Sequence, residues 1–344
     1  MRPDRGAAAL PRIVLARSWI ITITSHGGLR SGPSRTAVLT AVARALHREE
    51  PRPWVIDGYL ALGLAGREGA ALRERLRAEL PHPFLVAFSR WMCVRARFPE
   101  DIVEQAAADG VRQYVILGAG LDSFAYRRHD LLDRLRVFEV DHPASQRWKR
   151  RRLAELGVDS PTGLVFTPVD FERQTLREGL AEAGFDFRQL AVFSWVGVTM
   201  YLTLDAINAT LAMMAGCRPG TRVVLTYNQP QAALAGTTAQ IAATFAGIAA
   251  EMGEPFVSRF LPGEIDQLLR EHGFGEIAGF GPHEARETYF QGRTDIDIAG
   301  AQRLIAATVM PATTPWLRQR PSVSLIPGSS DRRVDSVAGR SCRW

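Results

Sequence analysis

After Gly110 the chain settles into one alternation: short apolar runs of strand length, separated by segments long enough for a helix. Tyr114-Val-Ile-Leu is followed by Arg136-Val-Phe-Glu-Val, Leu164-Val-Phe-Thr-Pro-Val, Leu190-Ala-Val-Phe-Ser-Trp and Arg222-Val-Val-Leu-Thr-Tyr. Runs that are apolar without alternation suit strands buried on both faces. Strands that return only after a helix-length crossover pair in parallel. The pattern therefore predicts an α/β fold built on a doubly wound sheet. His272-Gly-Phe-Gly announces a late strand pair near residues 276–281.

Ahead of that alternation the chain reads as helical. Thr36–His47 carries Val38, Leu39, Val42, Ala45 and Leu46 on one stripe, with Pro33 and Ser34 as a start signal. Residues 84–108 read as a further helical stretch, with an interruption expected at Pro99. Later helices are expected at Leu204–Cys217, 234–252 and 262–272.

The net charge of +6 points first to nucleic acid, and its distribution points away again. Residues 1–34 carry +4 and residues 311–344 another +4, which leaves the body at about −2. No basic groove is indicated in the folded part, so no nucleic-acid partner is expected. The apolar stretch at residues 19–24 is far shorter than the ~20 residues a membrane helix needs. It is read as part of a flexible basic leader, residues 1–33. The Pro-, Ser- and Arg-rich residues 311–344 read as a disordered basic tail. The cysteines, Cys93, Cys217 and Cys342, form no CxxC pair or framework, which favours a reducing, cytoplasmic setting. No His/Cys/Asp grouping has metal-ligand spacing, and no metal is expected.

The chemistry is carried by strand ends. The first run ends in Gly118-Ala119-Gly120-Leu121-Asp122-Ser123. Two glycines let the backbone turn tightly and a ligand approach closely. A dinucleotide loop would carry a third glycine where Ser123 stands, and Asp122 would repel a phosphate at the helix start. Asp141 lies 21 residues beyond Gly120, with Glu139 two residues before it, at the distance where an acidic residue meets ribose hydroxyls. Asp170 ends the third run, where it can accept from an adenine amino group while Phe171 covers the ring. A ribose and an adenine without phosphate describe an adenosyl cofactor.

Together these motifs, with Trp195-Val-Gly-Val-Thr-Met-Tyr-Leu, resemble the class I S-adenosylmethionine (SAM) methyltransferases of the leucine carboxyl methyltransferase superfamily. The resemblance leans toward its bacterial branch described as polyketide-type O-methyltransferases. It extends through Ser34-Arg-Thr-Ala, Arg95-Ala-Arg-Phe and Gly253-Glu-Pro-Phe, and covers about residues 34–309. It implies a seven-stranded sheet with a helical N-terminal cover, forming one methyltransferase domain over residues 34–310. It further implies that Asp141 holds the ribose, Asp170-Phe171 the adenine, Gly118 to Gly120 the methionine part, and Arg95 the methionine carboxylate. The chain departs from the family pattern at Phe124, usually Arg, and at Val196, often Glu.

The expected activity is methyl transfer from SAM to a hydroxyl or carboxylate oxygen of a small, polyketide- or lipid-like acceptor in secondary metabolism. A monomer or a homodimer would serve equally. Methylation of a protein C-terminal carboxylate and nicotinamide-linked oxidoreduction are the alternatives, together with a fold kept only for binding. No base is evident. Tyr201 is the one catalytic candidate beside the fourth run, with His142, His283 and Tyr289 as weaker ones.

Overall fold

The computed structural model describes residues 32–311, except 172, 294–297 and 299. The expected leader and tail therefore lie outside the described residues, apart from residues 32, 33 and 311.

Seven strands form one sheet: β1 (Gln113–Leu117), β2 (Arg136–Asp141), β3 (Leu164–Pro168), β4 (Ala191–Trp195), β5 (Arg222–Asn228), β6 (Phe274–Phe280) and β7 (Gln302–Val309). Their order is β3-β2-β1-β4-β5-β7-β6. The pairs among β1 to β5 are parallel, and β7 runs antiparallel between β5 and β6. The order reverses beside β1, where β2 lies on one side and β4 on the other, and ligands of open α/β sheets bind at such a switch point.

β1, β4 and nearly all of β5 are buried, which is why they read as unbroken apolar runs. The late strand pair is corrected. β6 stands alone at 274–280, and its partner is β7, reached only after a further helix at Pro282–Tyr289. Gln302-Arg303 open β7 with polar side chains, so its apolar part is too short to announce a strand.

Three helices precede the sheet: α1 (Arg35–His47), α2 (Ala61–Glu79) and α3 (His82–Ala108). Ser34 caps α1 by accepting from the Ala37 amide at 3.1 Å. α1 packs against both α2 and α3, burying Val38, Leu39, Val42 and Leu46. The interruption expected at Pro99 is absent, because α3 runs through it. Proline's fixed φ is itself helical; what the helix loses is the hydrogen bond to the carbonyl four residues earlier, that of Arg95. Cys93 and Cys217 are free, buried thiols. Among the described residues no helix is long and apolar enough to cross a membrane.

Candidate active site

Register alone brings the strand-end motifs together. Leu117 of β1 pairs with Val140 of β2, so Gly118 and Asp141 leave the sheet side by side. The Gly118 and Ala119 amides both donate to the Val140 carbonyl, at 2.9 and 3.0 Å. The Gly120 amide donates to Asp141 Oδ2 at 2.5 Å, and the His142 amide to Oδ1 at 2.6 Å. Each carboxylate oxygen keeps lone-pair capacity for a hydroxyl donor. Burial raises the Asp141 pKa, against the pull of those two amides.

Gly118 sits at φ +67°, and a Cβ there would come within 2.4 Å of Val198 Cγ2. The loop therefore needs glycine twice over, for its backbone angle and for its contact with the segment after β4. Beneath it lies a charged frame. Arg44 of α1 donates to the Leu121 carbonyl at 2.9 Å and pairs with Asp122 at 3.4 Å. Arg127 bonds Ser123 and pairs with the buried Glu100. Burial raises Asp122, but Arg44, Arg127 and Lys149 outweigh it and hold the carboxyl below its usual value. Phe124 is buried, edge-on to Tyr114 with ring centroids 4.8 Å apart.

One cavity opens at this loop and a second adjoins it. The larger, about 560 Å3, is lined by Gly118 to Asp122, Asp141, Ser194 and Glu254 among others. The smaller, about 120 Å3, is mostly apolar and is walled by Phe88, Trp91, Ile241, Phe245 and Phe256. Thr36, Thr40, Met92, Arg95 and Tyr201 line both, so they form a shared wall.

Arg95 is held in that wall by neutral partners, Gln302 Oε1 at 2.9 Å and Thr40 Oγ1 at 3.3 Å. Burial pulls its pKa down to about 10, which still leaves a cation at neutral pH. Among the described residues no carboxylate lies within ion-pair distance of it. Gly197, at φ +78°, lets the backbone pass so close that a Cβ would lie 3.1 Å from Arg95 Nη2. Burial raises the Tyr201 hydroxyl, while Thr36 and Arg95 lower it less, so Tyr201 is a neutral phenol. Thr36 shares both linings with Tyr201, and its hydroxyl donates to Glu254 Oε2 at 2.5 Å.

Not every candidate reaches a cavity. Glu139 is 1% exposed and closed off by Lys149 at 2.5 Å, so it faces the helix Pro143–Glu155 and lines neither space. Lys149 is the only lysine of the chain. Asp170 and Phe171 stand at the end of β3 outside both linings, Phe171 67% exposed. His142 caps a helix by accepting from the Ala144 amide, His283 lies at the surface beside Glu287, and Tyr289 donates to Asp101 at 2.6 Å. The apolar cavity itself has no sequence signature. Its walls come from α1, α3, the helix Gly236–Glu251 and β7, which only folding brings together.

A cradle that a Cβ would fill, a carboxylate with lone pairs beside it and a half-buried cation without a carboxylate suit an adenosyl amino acid. The arrangement is that of a class I methyltransferase. The leucine carboxyl methyltransferase family model matches residues 37–215, and the chain belongs to that family. YktD of Bacillus subtilis, by its name a SAM-dependent methyltransferase, is 30% identical over 76% of this chain and 93% of its own. A Mycobacterium tuberculosis protein of the same designation is 36% identical over 58% of this chain and 66% of its own. Among solved structures, a Thermobifida fusca protein assigned as a methyltransferase superposes with a TM-score of 0.52 at 17% identity, covering 82% of this chain and 96% of its own. A Streptomyces avermitilis protein gives 0.53 at 14%, covering 79% and 97%. At such identities the two structures speak for the fold alone. The enzyme is a SAM-dependent methyltransferase, and nicotinamide-linked oxidoreduction gives way to it.

Proposed function

We propose that the enzyme transfers the methyl group of SAM to an oxygen of a small molecule held in the apolar cavity. The observation that carries this reading is the shared wall: a cavity with charged groups at the glycine loop and a more apolar cavity meet across five side chains. Asp141 would hold the ribose hydroxyls, Gly118 to Gly120 the methionine chain and Arg95 its carboxylate, a guanidinium being shaped for that bidentate contact. Phe171 and Asp170, at the open end of β3, would meet the adenine.

When bound, SAM supplies an activated methyl: the acceptor oxygen's lone pair forms the O–C bond as the C–S bond breaks, and that pair passes to sulfur. The protein's part is alignment, and orientation alone supplies about 7–11 kcal/mol of barrier reduction. A carboxylate acceptor has no proton to lose. A hydroxyl acceptor must lose one, and the chain Tyr201, Thr36, Glu254 offers it a route to a carboxylate. The small volume and apolar lining of the smaller cavity favour a small molecule over a protein C-terminus, and the lining suits a fragment of polyketide or lipid character. We also read residues 34–310 as one catalytic unit, acting in the cytoplasm as a monomer or homodimer without nucleic acid.

Calorimetric titration with SAM, S-adenosylhomocysteine and NAD, followed by an acceptor screen that reads S-adenosylhomocysteine release, tests the proposal. Micromolar SAM binding with turnover of a small oxygen acceptor is expected. Turnover confined to a peptide carboxylate would replace it.

A further inference from the structure

The two cavities differ in charge as well as polarity. The larger is lined by Glu100, Asp122, Asp141 and Glu254 against Arg44 and Arg95. The smaller is lined by Arg95 and Arg259 and, among the described residues, by no Asp, Glu, Lys or His. Its remaining polar groups are neutral, chiefly Asn228, Gln229, Gln231 and Gln302.

The two arginines stand at different depths. Arg95 belongs to the half-buried wall shared with the larger cavity, where the methionine carboxylate would neutralise it. Arg259 is exposed and so marks the outer rim. Among the described residues its hydrogen bond is a long one, donated to the Phe256 carbonyl at 3.5 Å, and no carboxylate is paired with it. Arg259 follows Phe256, which walls the cavity and packs beside Tyr201 with ring centroids 5.5 Å apart. The space between rim and wall, about 120 Å3, is somewhat under the roughly 150 Å3 of a protein cavity that takes up benzene.

Building on the small-molecule reading above, we propose that the acceptor is a small organic anion. Its apolar body is of one-ring size, its acid group sits on Arg259 at the rim, and its methylated oxygen faces Tyr201 at the inner wall. Arg259 is then a specificity-determining residue. A planar guanidinium at the mouth of an otherwise acid-free pocket selects a carboxylate over its neutral amide. Because Arg259 is exposed, solvent screens the contact, so the selection is modest, about fivefold.

The test uses the full chain saturated with S-adenosylhomocysteine and titrated with benzoate, phenylacetate and hexanoate, each against its own amide. The acids are expected to bind about fivefold more tightly than the amides. Arg259→Gln should abolish that margin while leaving S-adenosylhomocysteine affinity unchanged, and Arg259→Lys should keep part of it. Equal binding of acids and amides, or a margin that survives Arg259→Gln, overturns the inference and leaves the small-molecule reading standing. Binding of neither acids nor amides overturns both.

Discussion

The hydroxyl of Thr36 donates to Glu254 Oε2 at 2.5 Å, and the amide of Arg35 to Oε1 at 3.1 Å, joining the first turn of α1 to a loop 218 residues downstream. Thr36 and Glu254 line the larger cavity, as does Tyr201. If these residues carry a proton from a hydroxyl acceptor, Glu254→Gln should lower kcat by about 10²-fold, the lower end of general-base effects. KM should change little, and a carboxylate acceptor should be methylated as before. Steady-state kinetics on the two acceptor types would separate those outcomes, and equal losses on both would reduce Glu254 to a structural tie.

Asp141 gives a pH signature. Burial raises its pKa above the usual 3.8, so the folded protein takes up this proton earlier on acidification than a free aspartate does. The charged form accepts hydroxyl hydrogen bonds best, hence SAM affinity should be full above the raised pKa and fall as pH drops through it. Asp141→Ala should weaken SAM by about 10- to 100-fold at neutral pH and flatten that dependence. Calorimetry across the acid range would show both.

Gly197→Ala should strike the cofactor site more than the fold. The new Cβ meets the Arg95 guanidinium, and the φ of +78° costs an L-residue about 1–2 kcal/mol. We expect SAM affinity to fall about tenfold or more as Arg95 is displaced from a charge-assisted contact. Thermal unfolding alongside calorimetry would distinguish this from a global loss of structure.

The pair Glu139–Lys149 is placed for stability. Both side chains are 1% exposed, so Glu139→Ala leaves a buried ammonium without its carboxylate and should cost about 3–5 kcal/mol. Replacing both, Glu139→Leu with Lys149→Met, should recover most of that. Denaturant unfolding of the single and double variants tests it.

The sheet was legible in the sequence because β1, β2, β4 and β5 are largely buried, and the half-buried edge strand β3 still keeps an apolar run, Leu164-Val-Phe. Gly118, Gly120 and Asp141 were legible because consecutive parallel strands carry their ligand-facing groups at one edge. α2 is not legible, since Gly63, Gly66 and Gly69 and a run of arginines blur its stripe, and Gly66 indeed breaks the helical angles at φ +68°. The partners of Arg95 are equally invisible: Thr40 and Gln302 lie 55 and 207 residues away, and only packing makes them neighbours. Glu139 has the spacing of a ligand-facing acid, but the chain's single lysine lies ten residues on and turns it into half of an ion pair.

The bond between Arg95 and Gln302 also sets a schedule for the newborn protein. Arg95 belongs to the third helix and Gln302 to the last strand, which slots between two strands already made. A chain still on the ribosome has made β1 to β5, the glycine loop and Thr40, yet the Gln302 half of its arginine's seat waits until β7 has emerged. A chain cut short before residue 302 would therefore keep most of the fold's motifs and lack one of the two partners that hold Arg95.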